Sequence, residues 1–172
     1  MTAAERDQLL LMDDTQLTRQ CRLSFVRSGG PGGQHRNKVS SGVRAVHQAS
    51  GIEASALERR NQHENRKHAL TRLRHALALN LRCPPDEPWP PDLAEILHGK
   101  RWPHVSTGNI DYWRLAARLL DSLDADGMKL SDTAARLGVS TGSLVHFLAA
   151  DDLLWRTVCR MRSAAGLPPL RR

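Results

Sequence analysis

The chain has 172 residues, a net charge of +7 at pH 7 and a sequence pI near 10.1. This length allows one substantial hydrophobic core, or two small cores joined by a connecting segment. The basic balance favours an anionic partner, and the absence of any apolar run of membrane-spanning length excludes a helical membrane protein, so we expect no membrane partner.

The number and spacing of the cysteines limit the kinds of site the chain can have and indicate its cellular compartment. Cys21, Cys83 and Cys159 are odd in number and widely spaced, with no C-x-x-C pair, so neither a disulfide framework nor a zinc knuckle is favoured. We predict no metal and no cofactor. The acidic start of the chain differs from a secretory or mitochondrial presequence, which indicates a soluble protein of the reducing cytoplasm.

The positive charge is concentrated in the first half of the chain. Residues 1–85 hold 14 Lys and Arg against 7 Asp and Glu, whereas residues 86–172 hold 11 of each. A functional site in the first half of the chain would therefore lie among this excess positive charge.

The first predicted elements lead into a glycine-rich segment. Asp13 is a plausible cap for a helical turn that extends to Gln20, and apolar residues then alternate over 21–25, as in a half-buried strand. Residues 27–38, called the glycine segment below, follow directly. They contain four glycines, one proline and one glutamine, together with the cations Arg27, Arg36 and Lys38. Glycine allows the backbone to approach a partner closely, and these cations favour a polyanion.

Known nucleotide-binding motifs do not fit the glycine segment. A G-x-G-x-x-G motif that begins at Gly30 would need glycine at the position of His35, and no G-K-[ST] follows. Rossmann and P-loop sites are therefore excluded. His63 and His68 are five residues apart, so they do not share a helix face as a zinc-binding H-E-x-x-H pair does.

The rest of the first half predicts a hairpin and a long helix. Residues 43–47 and 52–57 have strand patterns on either side of a Ser50-Gly51 turn. Residues 60–82 contain no proline or glycine and place leucines at helical spacing. We therefore predict an α+β fold, in which a small antiparallel sheet is covered by a long helix and carries one extended glycine loop.

The second half predicts a small helical module. Residues 83–91 read CPPDEPWPP and indicate a stiff connector. Asn109 can cap a helix, residues 131–144 have the pattern of a helix-turn-helix, and Asp151 or Asp152 can cap a last helix. The predicted domains are 1–83, a linker at 84–91, and a helical module at 92–172.

An ordered set of motifs in the first half resembles the catalytic domain of class I peptide chain release factors. The resemblance covers about 21–82, and Asn61 stands where the family usually has serine. The residues that carry it are Arg27, Ser28, Gly29, Gly30, Pro31, Gly32, Gly33, Gln34, His35, Asn37, Lys38, Val43, Arg44, His47, Gly51, Ile52, Glu58, Arg59, Arg60, Asn61, Gln62, Asn65, Arg66, Ala69 and Leu70.

This resemblance implies hydrolysis of the peptidyl-tRNA ester in the ribosomal peptidyl-transferase centre, with that rRNA and the P-site peptidyl-tRNA as partners. Gly32, Gly33 and Gln34 would be the catalytic residues. The backbone N–H of Gln34 would stabilise the oxyanion, its side chain would help to place water, and the two glycines would hold the backbone. The family's glutamine is often methylated on its side-chain amide, so Gln34 is a candidate modification site and a glutamine methyltransferase a candidate partner.

Charge and resemblance together predict a set of RNA contacts. These residues lie in the glycine segment and at the start of the long helix, and they are Arg27, His35, Arg36, Asn37, Lys38, Arg60, Gln62, Asn65, Arg66 and Arg72.

The segments before and after these motifs indicate which kind of release protein to expect. Only about 20 residues precede the first strand, which is too few for a codon-reading domain, so we expect codon-independent rescue of stalled ribosomes. The helical module would supply or regulate recognition of the target ribosome, through a partner that the sequence does not identify. Two alternatives stay open. One is a non-catalytic ribosome- or RNA-binding module, and the other is a helix-turn-helix DNA-binding regulator, although residues 141–150 lack Lys and Arg.

Overall fold

The computed structural model describes residues 1–26, 41–100 and 102–171. The chain divides into two compact units, residues 8–81 and residues 1–7 together with 82–172, which we call the sheet unit and the helical unit. A small three-stranded antiparallel sheet, a long helix and several C-terminal helices confirm the predicted α+β class. The predicted domain boundaries at 83–84 and 91–92 stay a prediction.

The described elements follow one another in a simple order. They are α1 (Ala3–Leu11), α2 (Asp14–Arg19), β1 (Cys21–Val26), β2 (Gly42–His47), β3 (Glu53–Ala56), α3 (Gln62–Asn80), α4 (Pro91–His98), α5 (Ile110–Ala125), α6 (Leu130–Arg136), α7 (Thr141–Ala149) and α8 (Asp152–Ala164).

The sheet has the order β1-β2-β3 with both pairings antiparallel. Its first ladder runs from the pair Cys21 and His47 to the pair Val26 and Gly42. The predicted strands and hairpin are thus confirmed. Gly51 completes the hairpin turn at φ +69°, a left-handed conformation that glycine adopts without steric cost.

Helix α3 covers the sheet by packing on β2 and β3. Leu70, Leu73 and Leu77 are almost fully buried along one face, as their spacing predicts. Each such leucine contributes about 1.5–3 kcal/mol relative to an exposed position. Asn61 caps the helix by accepting a hydrogen bond from the His63 backbone N–H at 2.8 Å. Asparagine and serine are comparable N-caps. Asn61 can therefore begin the helix as well as the serine that the family usually has at this position.

His47 lies buried at the end of β2. Its Nδ1 is 2.8 Å from the Ser50 hydroxyl, its Nε2 is 3.4 Å from Oε1 of Gln20, and its exposed fraction is 1%. Burial lowers the pKa of this imidazole, because the charged form loses its hydration. The folded sheet unit therefore favours neutral His47.

The helical unit is built around α5, which contacts α4, α6 and α8. Asn109 caps α5 as predicted, by accepting from the Asp111 backbone N–H at 3.0 Å. Tyr112 is fully buried, packs against Phe147 in a tilted arrangement with ring centroids 4.6 Å apart, and donates a hydrogen bond from its hydroxyl to the Phe147 carbonyl at 3.2 Å. Apolar packing around α5 thus forms the core of this unit.

Helices α6 and α7 form the predicted helix-turn-helix. Gly138 ends α6 at φ +66°, and Val139 N–H donates back to the Ala134 carbonyl at 3.0 Å, the pattern of a glycine-terminated helix. Ser140 then caps α7, and Asp151 caps α8 through the Leu153 and Leu154 backbone N–H groups.

Buried ion pairs form a second set of contacts in the helical unit, and the sequence pattern did not predict them. Arg6 and Asp121 meet at 2.6 Å with side chains 0% and 1% exposed. Arg82 contacts the other Asp121 oxygen at 3.0 Å. Arg118 contacts Asp7 at 2.8 Å, so residues of α1 are paired with residues of α5.

The same unit includes the proline-rich segment. Asp86 accepts a hydrogen bond from Arg118 at 2.5 Å, and Glu87 pairs with Arg136. Trp89 is buried. These contacts hold residues 86–89 within the helical unit.

Two helices, α1 and α4, have no counterpart among the predicted elements. The sequence nevertheless contains local signals for both helices. Thr2 and Glu5 exchange hydrogen bonds between each backbone N–H and the other's side chain, a capping box at the start of α1. Pro91 occupies the first turn of α4, and Leu93 and Leu97 are buried four residues apart.

Over the described ranges, no helix is both long and apolar enough to cross a membrane. Cys21 and Cys83 are buried, Cys159 is partly exposed, and all three are free thiols.

Stability of the sheet unit should depend on pH through His47. The unfolded chain binds a proton near the ordinary pKa of 6.5, whereas the folded chain resists protonation. The free energy of unfolding should therefore fall as the pH drops below 6.5. A urea titration at pH 7.5 and 5.5, followed by the NMR amide signals of β2, measures this. His47→Gln should weaken the pH dependence, and an unchanged dependence in that variant would count against His47.

Stability of the helical unit should depend on Asp121. Asp121→Asn leaves Arg6 buried without its counter-charge, which costs about 3–5 kcal/mol. Asp92→Asn is the matched control, because Asp92 is 56% exposed and exposed pairs contribute about 0–1 kcal/mol. Denaturant unfolding followed by tryptophan fluorescence reports on this unit alone, since all four tryptophans lie within it. Equal losses in the two variants would contradict the prediction.

Candidate functional site

The candidate site is divided between described and undescribed residues. All of the predicted catalytic residues lie outside the described ranges, as do five of the predicted RNA contacts. These site residues are Gly32, Gly33, Gln34, Arg27, His35, Arg36, Asn37 and Lys38. What the structure describes is the base from which the glycine segment departs and the helix beside it.

The base is the end of the β1–β2 ladder. Val26 and Gly42 are the last paired residues that the structure describes there, and opposite residues of an antiparallel pair have Cα atoms about 4.5–5.5 Å apart. A Cβ placed on Gly42 would lie 2.8 Å from the Val26 carbonyl oxygen and 3.0 Å from a Leu57 methyl carbon. Only glycine permits this approach, so the described ends of β1 and β2 lie close together. Gly42 is not among the predicted site residues, although a glycine at the start of a strand is a usable signal.

Asn65 connects this base to α3. Its side chain is fully buried, and its amide nitrogen donates to the Ser41 carbonyl at 2.7 Å and to the Arg59 carbonyl at 2.8 Å. Its amide oxygen accepts from the Arg59 backbone N–H at 3.0 Å. A side chain in this position is engaged within the fold, and its predicted RNA contact stays untested.

Arg66 and Arg72 are exposed on α3 and also brace it. Arg72 donates to the Ser55 carbonyl at 2.8 Å and pairs with Glu58. The hydrogen bond from Arg72 is the main reason that the pKa of Glu58 lies below its ordinary value. Arg66 donates to the Thr18 hydroxyl at 3.3 Å. Both arginines thus have partners inside the sheet unit.

Exposed basic side chains are gathered at the start of α3. We call this set the basic surface, and it consists of Arg59, Arg60, His63, Arg66 and Lys67. Gln62 is exposed among them. Cations in this density attract phosphate groups, and binding of this kind weakens as salt is added. The structure therefore places Arg60, Gln62 and Arg66 of the predicted RNA contacts on one exposed end of the helix.

The chemistry available to this base is limited. Within the described ranges, no three side chains of His, Cys, Asp or Glu are grouped so as to hold a metal ion. The base fixes the positions of the paired backbone residues Val26 and Gly42, and the neighbouring basic surface supplies positive charge. Positive charge of this kind attracts an anionic partner.

The helix-turn-helix shows a different electrostatic character. Helix α7 exposes Thr141, Gly142 and His146 but contains no Lys or Arg, and Asp151 follows at the cap of α8. Phosphate contacts in DNA readers come mostly from cationic side chains. This surface therefore lacks the charge of a DNA-recognition helix.

Comparison with known proteins places the site in context. Residues 14–86 match the family model described as the RF-1 domain. Peptide chain release factor 1 of Dictyoglomus thermophilum is 50% identical over 56 residues, which are 33% of this chain and 15% of that protein. The peptide chain release factor homolog of Escherichia coli is 46% identical over 57 residues, or 33% of this chain and 28% of that protein.

A mitochondrial peptide chain release factor 1 from Kluyveromyces lactis extends the match to 68 residues at 41% identity, covering 40% of this chain and 17% of that protein. The chain thus spans between about one seventh and just over one quarter of the length of these three relatives. Within the matched segment lie the glycine segment, its base and α3. Residues 14–86 are an RF-1 domain, of the catalytic domain family of class I peptide chain release factors.

Proposed function

We propose that this chain hydrolyses the ester bond of peptidyl-tRNA on the ribosome and so releases the nascent peptide. The observation that carries the proposal is the RF-1 domain at residues 14–86, which contains Gly32, Gly33 and Gln34 in sequence. The described base supports it, because Val26 before the glycine segment and Gly42 after it are paired across β1 and β2.

The chemistry follows from the residue types. Water attacks the ester carbonyl, and the carbonyl oxygen gains negative charge in the tetrahedral intermediate. The backbone N–H of Gln34 donates to that oxygen, while its side chain helps to place the water. One preorganised donor of this kind contributes about 10²- to 10³-fold in rate. No protein nucleophile is required when the water and the ester are held together by the ribosome.

The basic surface gives the domain a means of binding rRNA. Arg60, Gln62 and Arg66 contact phosphates or sugars near the peptidyl-transferase centre, together with the cations of the glycine segment. Arg72 contributes mainly by holding α3 to β3, because it already donates to Ser55 and pairs with Glu58.

We further propose that release does not require a stop codon and serves stalled ribosomes. The support comes from the helical unit after α3, a second compact unit that accompanies the RF-1 segment. The helical unit supplies or regulates recognition of the stalled state. The protein acts in the cytoplasm, and Gln34 is a substrate for a glutamine methyltransferase.

Replacement of Gln34 tests the enzymatic part of the proposal. Gly33→Ala should slow release of labelled peptide from ribosomal complexes by about 10²-fold or more, because a side chain at this glycine disturbs the backbone that presents the Gln34 N–H to the oxyanion. Gln34→Ala keeps that N–H but loses the side chain that helps to place the water, so it should also slow release. Gln48→Ala is the matched control, since Gln48 is exposed on the hairpin turn. Co-sedimentation should show that all variants still bind ribosomes.

Release by Gln34→Ala at the wild-type rate would contradict the proposal. Ribosome binding without release by the wild type would favour a non-catalytic module. Tight, salt-sensitive binding of duplex DNA would instead favour a regulator.

Codon independence has its own measurement. Release should be equal within about twofold from complexes whose mRNA ends at the P site and from complexes that present a sense codon, and a stop codon should not accelerate it. The same ribosomes and labelled peptidyl-tRNA serve all three conditions. Acceleration by a stop codon would overturn the codon-independent part of the proposal and leave the hydrolase part intact.

A further inference from the structure

Every hydrogen-bonding group of the Asn65 side chain is engaged by a nearby backbone group. Its two hydrogen-bond donors serve the carbonyls of Ser41 and Arg59, and its oxygen accepts from the Arg59 N–H. A neutral amide offers two donors and one carbonyl acceptor, so every group on it is engaged. Its exposed fraction is 0%, so these contacts lie inside the fold.

Capping of α3 does not account for this arrangement. Asn61 already caps the helix through the His63 N–H, and the Asn65 N–H makes the first regular helical bond to the Asn61 carbonyl at 3.1 Å. The Asn65 side chain instead joins two segments that lie 24 and 6 residues away in sequence. Its contacts are those of a connector between chain segments.

One of those segments is the base of the glycine segment. Ser41 is buried and directly precedes Gly42, whose backbone lies against the Val26 carbonyl. A buried carbonyl without a donor is costly, so the Asn65 amide fixes where the chain can rejoin β2. The first turn of a 19-residue helix is a rigid support for that bond.

We propose that Asn65 is a positioning residue for the proposed hydrolysis, because it holds Ser41 and Gly42, where the chain that follows Gln34 in sequence enters β2. This role rests on the proposed hydrolase function. A displacement of about 1 Å in a reacting group costs about 10²-fold in rate, so loss of this anchor affects the chemical step more than binding.

Asn65→Asp is the sharpest variant, because it keeps the shape and the acceptor but replaces the amide donors with a carboxylate that faces two carbonyl oxygens. The release rate at saturating ribosomes should fall by about 10- to 100-fold, while the half-saturating ribosome concentration stays within about twofold of wild type. Activity should recover in part as the pH is lowered, because a protonated carboxyl can again donate one hydrogen bond.

Two controls separate positioning from general destabilisation. Asn80→Asp makes the same change at the other end of α3, where the Asn80 amide donates to the Ala76 carbonyl on an exposed surface. Leu77→Ala removes buried apolar contacts from the middle of the sheet unit without touching Ser41. Both should keep the wild-type rate at saturation at a temperature where circular dichroism shows them folded. A normal rate for Asn65→Asp, or an equal loss in Leu77→Ala, would overturn the positioning role.

Hydrogen–deuterium exchange separates this proposal from the function on which it rests. Equal release by the wild type and Gln34→Ala would refute the hydrolase, and the anchor can still be judged by exchange. Asn65→Asp should speed exchange about tenfold or more in peptides from 41–46 and leave peptides from 47–53 unchanged. Unchanged protection at 41–46, or faster exchange throughout the sheet unit, would refute the anchor.

Discussion

The close approach of Val26 and Gly42 is the constraint on which the candidate site depends. The carbonyl of Val26 occupies the space that a side chain at position 42 would need, so the last pair of the β1–β2 ladder can form only with glycine there. Asn65 secures the same place from the helix side through Ser41. The described residues on either side of the glycine segment thus form a base whose geometry is set by packing and by one fully bonded amide.

The two units are stabilised by different means. The sheet unit relies on apolar contacts between α3 and β2–β3, with Leu73, Val43 and Ala45 at 0% exposure. The helical unit adds buried ion pairs to its apolar core, and two of their members, Arg6 and Asp7, come from α1. Buried pairs are costly to disrupt but seldom exceed a hydrophobic replacement in net stability. Their geometry fixes which residues of α1 and α5 pair more strictly than apolar contacts would.

Local patterns in the sequence predicted the parts of the fold that local physics determines. Alternating apolar residues predicted β1 to β3, the leucine spacing predicted α3, and Asn109 predicted the start of α5. The ion pairs could not be predicted, because Arg118 and Asp7 are 111 residues apart and a helical wheel treats each charge as solvated. Asn65 was predicted as an RNA contact from its motif, whereas its burial and its bond to Ser41 appear only once α3 is folded onto the sheet.

The catalytic claim combines an RF-1 segment, a described loop base and a basic surface. The proposed chemistry assigns no protein side chain as the nucleophile, so it relies on an RNA active site to hold the substrate. The most direct measurement compares cleavage of the same labelled peptidyl-tRNA with and without ribosomes. We predict cleavage only in the ribosomal complex, with the free peptidyl-tRNA left intact. Cleavage of free peptidyl-tRNA at the same rate would contradict a ribosome-dependent mechanism.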